Sequence, residues 1–221
     1  MSILRSLRQA LAPSSPRAIH MPSILYAPEG ALPIALRPLT TDDAREWGRV
    51  RWGNEAWLAP WESGDPEYGS GMSFNEWIQW QRQQERDGAG VVFAVTYQGR
   101  IVGQISLGAI SYGAMRSGIV GYWMDHAYAG KGIMPLAVAM LADWALGESS
   151  GPKLHRLEID MLINNRRSHR VAEKVGATYE GIRRGYMYVN GRWQDHDAYS
   201  LLAEDRGEGF AVRQITRHAR D

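Results

Sequence analysis

Between Gly118 and Gly132 the chain reads Gly-Ile-Val-Gly-Tyr-Trp-Met-Asp-His-Ala-Tyr-Ala-Gly-Lys-Gly, followed by a helical pattern from Ile133 to Leu146. A strand that enters a glycine turn and leaves as a helix can hold an anion. The first-turn N–H groups have no partner inside the helix, the dipole is positive at that end, and Gly130 and Gly132 let a pyrophosphate approach the backbone closely. The same chemistry also makes a tight connection that binds nothing. Downstream, Asn165-Arg166-Arg167-Ser168 opens a helix and Glu173-Lys174-Val175-Gly176 closes it. Asn165 is an N-cap residue type with Ser168 three positions later, so capping alone accounts for the local pattern. Three further strings stand out by their residue types: Asn54-Glu55-Ala56-Trp57-Leu58-Ala59-Pro60-Trp61-Glu62, Glu180-Gly181, and Val189-Asn190-Gly191-Arg192-Trp193-Gln194-Asp195-His196.

The elements that must position these residues follow from periodicity and punctuation. Residues 34–38 form a first strand, and Thr41, Asp42 and Asp43 cap a helix running through Trp47 and Val50. A second helix follows Ser73. Strands over 91–97 and 101–107 flank Gln98-Gly99-Arg100, a hairpin signal, and 117–125 supplies a central strand. A helix over 131–147, a strand over 155–162, a helix over 165–175 and a hairpin turning at Asn190-Gly191 complete a mixed α/β order. No internal repeat or low-complexity tract is present. Residues 1–30 differ in composition, with Arg5, Arg8 and Arg17, four prolines, and no acid before Glu29; they are expected to be an extension. Ile3, Leu4, Leu7, Ala10 and Leu11 fall at helical spacing within it, and Met21 is an alternative start. Residues 31–205 form the domain, and 206–221 a mixed-charge tail without assigned chemistry.

A chain of 221 residues, 44% hydrophobic and 22% charged, can bury one sizeable core. Its 25 basic and 24 acidic residues leave a net charge of +1, so no whole-chain field favours nucleic acid or a membrane surface, and direct nucleic-acid binding is not expected. The absence of cysteine excludes a disulfide, thiolate catalysis and a cysteine metal site. None of the six histidines falls at a metal-ligand spacing, and no metal is expected. Without a membrane-length apolar run or a signal-like N-terminus, the expected compartment is the cytoplasm.

Taken in order, the glycine turn, Asn165-x-x-Ser168, the Glu-Gly element, the final hairpin and the Asn54–Glu62 segment resemble the GNAT acetyltransferases, and within them the RimJ/RimL type that acetylates protein N-termini. The resemblance spans roughly residues 34–205. It implies the GNAT fold, a mostly antiparallel sheet whose two central parallel strands splay apart to admit acetyl-CoA. It also implies roles. Main-chain groups of Tyr122, Trp123 and Met124 would pair with the pantetheine arm, with the Met124 N–H polarising the thioester carbonyl. N–H groups of Ala129, Gly130, Lys131, Gly132 and Ile133 would hold the pyrophosphate, and the Lys131 side chain would either add charge there or stand solvated. Asn165 and Ser168 would lie beside the thioester, with the Ser168 hydroxyl donating as the thiolate leaves. Two positions depart from the pattern: Ala127 stands where the superfamily favours Gln or Arg, and Met187 where some RimL-type relatives place a glutamate.

Methionine cannot take a proton, so the general base is left open among Glu62, Asp195 and His196, with Glu62 favoured for a substrate role. An N-terminal amine makes little demand on a base. It titrates near 7.7 to 8.0 against 10.4 for lysine, so roughly 0.1 of it is neutral at pH 7 against about 0.0004 of lysine. Trp52, Trp57, Trp61, Trp77 and Trp80 cluster in the region that covers the acceptor site in such proteins, where one or two could wall a channel for a peptide end. The expected activity is direct, ternary-complex transfer from acetyl-CoA to a protein N-terminal α-amine, with a ribosomal protein as the candidate acceptor, by a monomer or homodimer. The alternatives are transfer to a lysine, a small amine or an antibiotic; succinyl-CoA as donor, if Arg116, Arg183 or Arg184 meets the acyl tail; and a non-catalytic acyl-CoA-binding regulator.

Overall fold

A computed structural model describes residues 18–67 and 71–218, with side-chain surroundings through 215. Eight strands form one sheet: β1 (Leu25–Tyr26), β2 (Ile34–Pro38), β3 (Val91–Tyr97), β4 (Arg100–Ser111), β5 (Ser117–Met124), β6 (Arg156–Leu162), β7 (Thr178–Val189) and β8 (Arg192–Leu202). Their order is β1-β2-β3-β4-β5-β6-β8-β7. Every neighbouring pair is antiparallel except β5 and β6, which run parallel. The helices are α1 (Ala44–Gly53), α2 (Glu55–Leu58), α3 (Phe74–Arg86), α4 (Ile133–Ala142), α5 (Arg166–Val175) and α6 (Phe210–His218).

Strand alternation divides the apolar side chains between two faces. Val91, Phe93 and Val95 of β3 join the main core with α4, α5 and α6, whereas Val92 and Ala94 join a smaller cluster with Leu39, Ile78 and Ile101. Trp47, Phe74 and Trp77 lie on that second cluster, placing α1 and α3 on the opposite face. All ten residues of α4 are buried, which explains why its sequence shows no polar face. The expected helix over 131–147 therefore starts two residues later and ends in a π-helical turn, Asp143–Gly147.

The β5–β6 ladder is the feature that creates the site. It holds only three residue pairs, from Ser117↔Arg156 to Ile119↔Glu158. Beyond them β5 stays in register with β4 through Met124, while β6 stays in register with β8 through Leu162. The sheet thus opens between residues 120–124 and 159–162, as the resemblance implied.

Both ends of the described chain pack on this frame. Ile19 is buried, its N–H donates to Glu85 O at 2.8 Å, and β1 pairs with β2. Residues 18–30, expected as part of an extension, therefore contribute a strand and a core side chain. The amphipathic pattern over residues 3–11 lies outside the described residues. At the other end Phe210 is fully buried, and the Asp143 carboxylate accepts from Arg206 Nε, Phe210 N and Ala211 N at 3.1, 2.9 and 2.9 Å. The expected tail becomes α6 because the π-turn of the preceding helix supplies its cap.

Candidate active site

A cleft of about 1290 Å³ runs through the sheet opening. One wall is the end of β5. Asp125 N donates to Val102 O at 2.8 Å, so with Gly103 opposite Met124 the antiparallel alternation turns the Tyr122 and Met124 main-chain groups away from β4, into the gap. Trp123 main-chain groups face β4 instead, so they do not join the expected pantetheine contacts, although the residue lines the cleft. The Met124 carbonyl accepts from Trp57 Nε1 at 3.2 Å, which leaves the Met124 N–H for a ligand. Trp57 is held in turn by His126, ring centroids 4.4 Å apart, and by the Arg167 guanidinium 4.1 Å over its face. Asn54 fixes the same junction: its Oδ1 accepts from His126 N at 2.9 Å, and its Nδ2 donates to Val50 O.

Beyond β5 the backbone makes a short 3-10 turn and reaches Gly130 and Gly132 at φ of +81° and +79°, left-handed values that glycine adopts without strain. Gly132 is the α4 N-cap, so the first-turn N–H groups of Ile133 and Met134 have no helical acceptor. Ala129 N already donates to His126 O at 3.1 Å, which removes it from the expected set of phosphate donors. Lys131 is exposed with Nζ 4.8 Å from the Tyr128 ring centroid, outside the cleft lining. Besides Arg51 of α1, the cations that line the cleft are Arg167, Arg170 and Lys174, all of α5. Their spacing of three and four residues puts them on one helix face, a signal present in the sequence but hidden behind the Asn165-x-x-Ser168 pattern.

Asn165 caps α5, its Oδ1 accepting from Ser168 N at 3.2 Å. The Ser168 hydroxyl lies 2.6 Å from the Tyr122 hydroxyl across the gap. Burial raises the Tyr122 pKa well above its ordinary value, against a smaller opposing effect of the Ser168 hydrogen bond, so the phenol stays protonated and able to donate. With Tyr122 donating, the Ser168 hydrogen is free for an acceptor in the cleft. The sequence assigns Tyr122 a main-chain role only; strand alternation, which puts Val120, Tyr122 and Met124 on one face, is the signal for the direction of its side chain.

The opposite mouth holds the candidate bases. Glu62 lines the cleft, half exposed and ion-paired with the buried Arg51. Asp195 is exposed, accepts from Gly185 N at 2.7 Å, and does not line the cleft. His196 is buried and does line it. Its Nδ1 lies 3.0 Å from Gln194 O, and because a carbonyl only accepts, Nδ1 carries the proton and Nε2 of the neutral ring carries a lone pair. Met187 stands in the cleft wall where a glutamate was missing. One carboxylate was not anticipated: Asp160 of β6, fully buried, with Oδ2 3.4 Å from Arg183 Nη1 and Oδ1 without a hydrogen-bond partner. Burial is the main cause that pushes its pKa up to about 6, with Arg183 opposing. Arg116, Arg183 and Arg184, considered for a charged acyl tail, do not line the cleft.

Among the described residues, no helix is long and apolar enough to cross a membrane, and no three His, Asp or Glu side chains converge as a metal site.

The comparisons with known proteins agree with this geometry. The profile described as "Acetyltransferase (GNAT) domain" matches residues 34–178. The chain is 31% identical over 174 residues to the putative ribosomal N-acetyltransferase YdaF of Bacillus subtilis, covering 78% of this chain and 92% of YdaF. It is 42% identical over 106 residues to the probable N-acetyltransferase YjcK of the same organism; that match covers 48% of this chain and a little over half, 57%, of YjcK. Mycobacterium smegmatis RimJ, solved with CoA-disulfide, superposes with a TM-score of 0.78 at 30% identity, covering 88% of this chain and 93% of RimJ. A splayed parallel pair, a glycine turn at a helix N-terminus and a family match over most of the sheet lead to one assignment: the chain belongs to the GNAT acetyltransferase family.

Proposed function

We propose that this protein is an acetyl-CoA-dependent transferase that acetylates a protein N-terminal α-amine, of the ribosomal-protein-alanine type, by direct attack in a ternary complex. The observation that carries the reading is the sheet opening, into which the free Met124 N–H is turned and across which the Tyr122 and Ser168 hydroxyls meet. Pantetheine main-chain hydrogen bonds would go to Tyr122 and Met124, and the pyrophosphate to Gly130, Gly132 and Ile133 with Arg167, Arg170 and Lys174 beside it. The Met124 N–H is aimed where negative charge develops on the carbonyl oxygen. As the tetrahedral intermediate collapses, Ser168 gives its proton to the departing thiolate while the Tyr122 hydroxyl, staying protonated, donates a hydrogen bond to the serine oxygen; the proton released by the attacking amine restores the Ser168 hydroxyl through solvent. His196 Nε2 is the group in this cleft best arranged to take the amine proton; its Nδ1 is already fixed on Gln194 O. Without cysteine in the chain, an acyl-cysteine route has no nucleophile. The aromatic mouth formed by Trp52, Trp61, Trp77 and Trp80 suits an extended peptide end. The names of the relatives, among them the [ribosomal protein uS5]-alanine N-acetyltransferase of Escherichia coli at 23% identity, support the acceptor class.

The test is Ser168→Ala and Tyr122→Phe in steady-state acetyl transfer, with CoA affinity measured by calorimetry. Loss of a positioned proton donor predicts kcat lower by roughly 10²-fold in the serine variant, with CoA affinity nearly unchanged. Full turnover in both variants would refute the assigned roles, and CoA binding without transfer to any amine would favour the regulatory alternative.

A further inference from the structure

We infer that Arg51 is a specificity residue that reads the carbonyl oxygen adjacent to the reacting amine, restricting the acceptor to peptide-like and amide-like amines. The inference deepens the proposed function and rests on it. Arg51 is 7% exposed on α1 and lines the acceptor end of the cleft. Its guanidinium carbon lies 5.1 Å from the Trp52 ring centroid and 5.9 Å from that of Trp123, the residue before the Met124 N–H. Nη2 pairs with Glu62, whereas Nη1 is buried and has no hydrogen-bond partner. A buried guanidinium with an empty donor is costly unless a ligand oxygen fills it.

Charge selects which oxygen. Glu62 already balances the arginine, so the pair is neutral overall and sits among indole rings. A free carboxylate brought to Nη1 would be the second anion on one cation in a poorly hydrated place. A neutral carbonyl oxygen satisfies the donor without excess charge. In an acceptor of the form H₂N–CHR–C(=O)–N, that oxygen is one carbon removed from the amine that attacks the thioester. A lysine side chain or a simple amine has no oxygen there.

The experiment compares three acceptors with acetyl-CoA: L-alaninamide, L-alanine and 2-aminopropane. Each is assayed with wild type, Arg51→Lys and Glu62→Gln, so that the basicity of each amine cancels when one acceptor is followed across proteins. Lysine can still pair with Glu62 but lacks the guanidinium fork. A hydrogen bond from a charged donor predicts that Arg51→Lys lowers kcat/KM for L-alaninamide about 10-fold or more, and for 2-aminopropane less than about twofold. Glu62→Gln unmasks the cation and should raise L-alanine relative to L-alaninamide severalfold, in a variant that leaves Arg51 in place. Equal losses for all three acceptors in Arg51→Lys, or an unchanged ratio in Glu62→Gln, overturn the inference while leaving the proposed function standing. A wild-type preference for succinyl-CoA over acetyl-CoA that disappears in Arg51→Lys overturns it as well, since the arginine would then be reading an acyl-tail carboxylate. Wild type inactive on all three small amines refutes the proposed function only if peptides with free N-termini are not acetylated either. In that case L-alaninamide titrated calorimetrically into the CoA complex still decides: binding lost in Arg51→Lys upholds the role of Arg51, and binding retained or absent throughout overturns it.

Discussion

Replacing Asp160 by Asn should stabilise the protein at neutral pH. The carboxyl is fully buried, and its pKa is raised from the ordinary 3.8 to about 6. The folded state therefore holds this proton more tightly than the unfolded chain does, so the contribution to stability falls as pH rises between those two values and is fully adverse above the folded one. At about 1.36 kcal/mol per pH unit the adverse contribution reaches about 3 kcal/mol. Arg183 loses one partner in the variant but keeps Glu158 and the Tyr186 hydroxyl, the latter at 2.8 Å, which limits the offset. A net gain of about 1–3 kcal/mol at pH 8 corresponds to a rise in Tm of about 3–9 °C for a chain of this size. The assay is circular-dichroism melting of both proteins from pH 4 to 8, read as the difference between them, because carboxylates such as Glu180, lowered to about 2 chiefly by its hydrogen bond with Arg156, impose the opposite slope on both. The Tm difference should be small at pH 4 and grow through pH 6. A constant difference across the range, or a variant less stable at pH 8 than wild type, would refute the assignment of a charged, desolvated Asp160.

Two other substitutions probe the frame around the cleft. Gly130→Ala adds a methyl that meets nothing within 4 Å, so its cost is the left-handed φ alone, about 1 kcal/mol; if the pyrophosphate packs on this turn, calorimetry will show CoA affinity falling by more than the loss of stability explains. Asp143→Ala removes the acceptor of three hydrogen bonds at the start of α6 and should cost about 2 kcal/mol in urea unfolding, with transfer kinetics unchanged; a cost below 0.5 kcal/mol, on the order of an ordinary surface substitution, would contradict its role as a cap.

The sequence made most of the sheet legible because its strands alternate and its turns carry their own chemistry: Gln98 and Gly99 both adopt positive φ in the β3–β4 hairpin, and Asn190 and Gly191 do so between β7 and β8. Ser73 and Glu76 similarly mark the start of α3 by a reciprocal capping box. The glycine turn and the Asn165 cap were readable as local geometry, and their convergence followed from the resemblance to a family. What was not legible depends on contacts distant in sequence. Tyr122 and Ser168 are 46 residues apart, and Trp57 and Met124 67 apart, so no local pattern announces either hydrogen bond. Residues 18–30 and 206–218 carry no strong periodic signal of their own; they are held by contacts distant in sequence, Ile19 and the β1–β2 pairing at one end and Phe210, Ala211 and the Asp143 cap at the other. Asp160 was passed over because Glu158-Ile-Asp160-Met is an ordinary alternating strand pattern, and only the opening of the sheet beyond Glu158 separates a solvated acid from a buried one.

The most direct measurement is mass-spectrometric transfer from acetyl-CoA to matched peptides, one set with free Ala, Ser or Met N-termini and one set N-blocked but containing lysine. The account predicts acetylation confined to the free N-termini, with a rate that falls when Ser168 is replaced by alanine. Acetylation of the blocked lysine set at a comparable rate would contradict it.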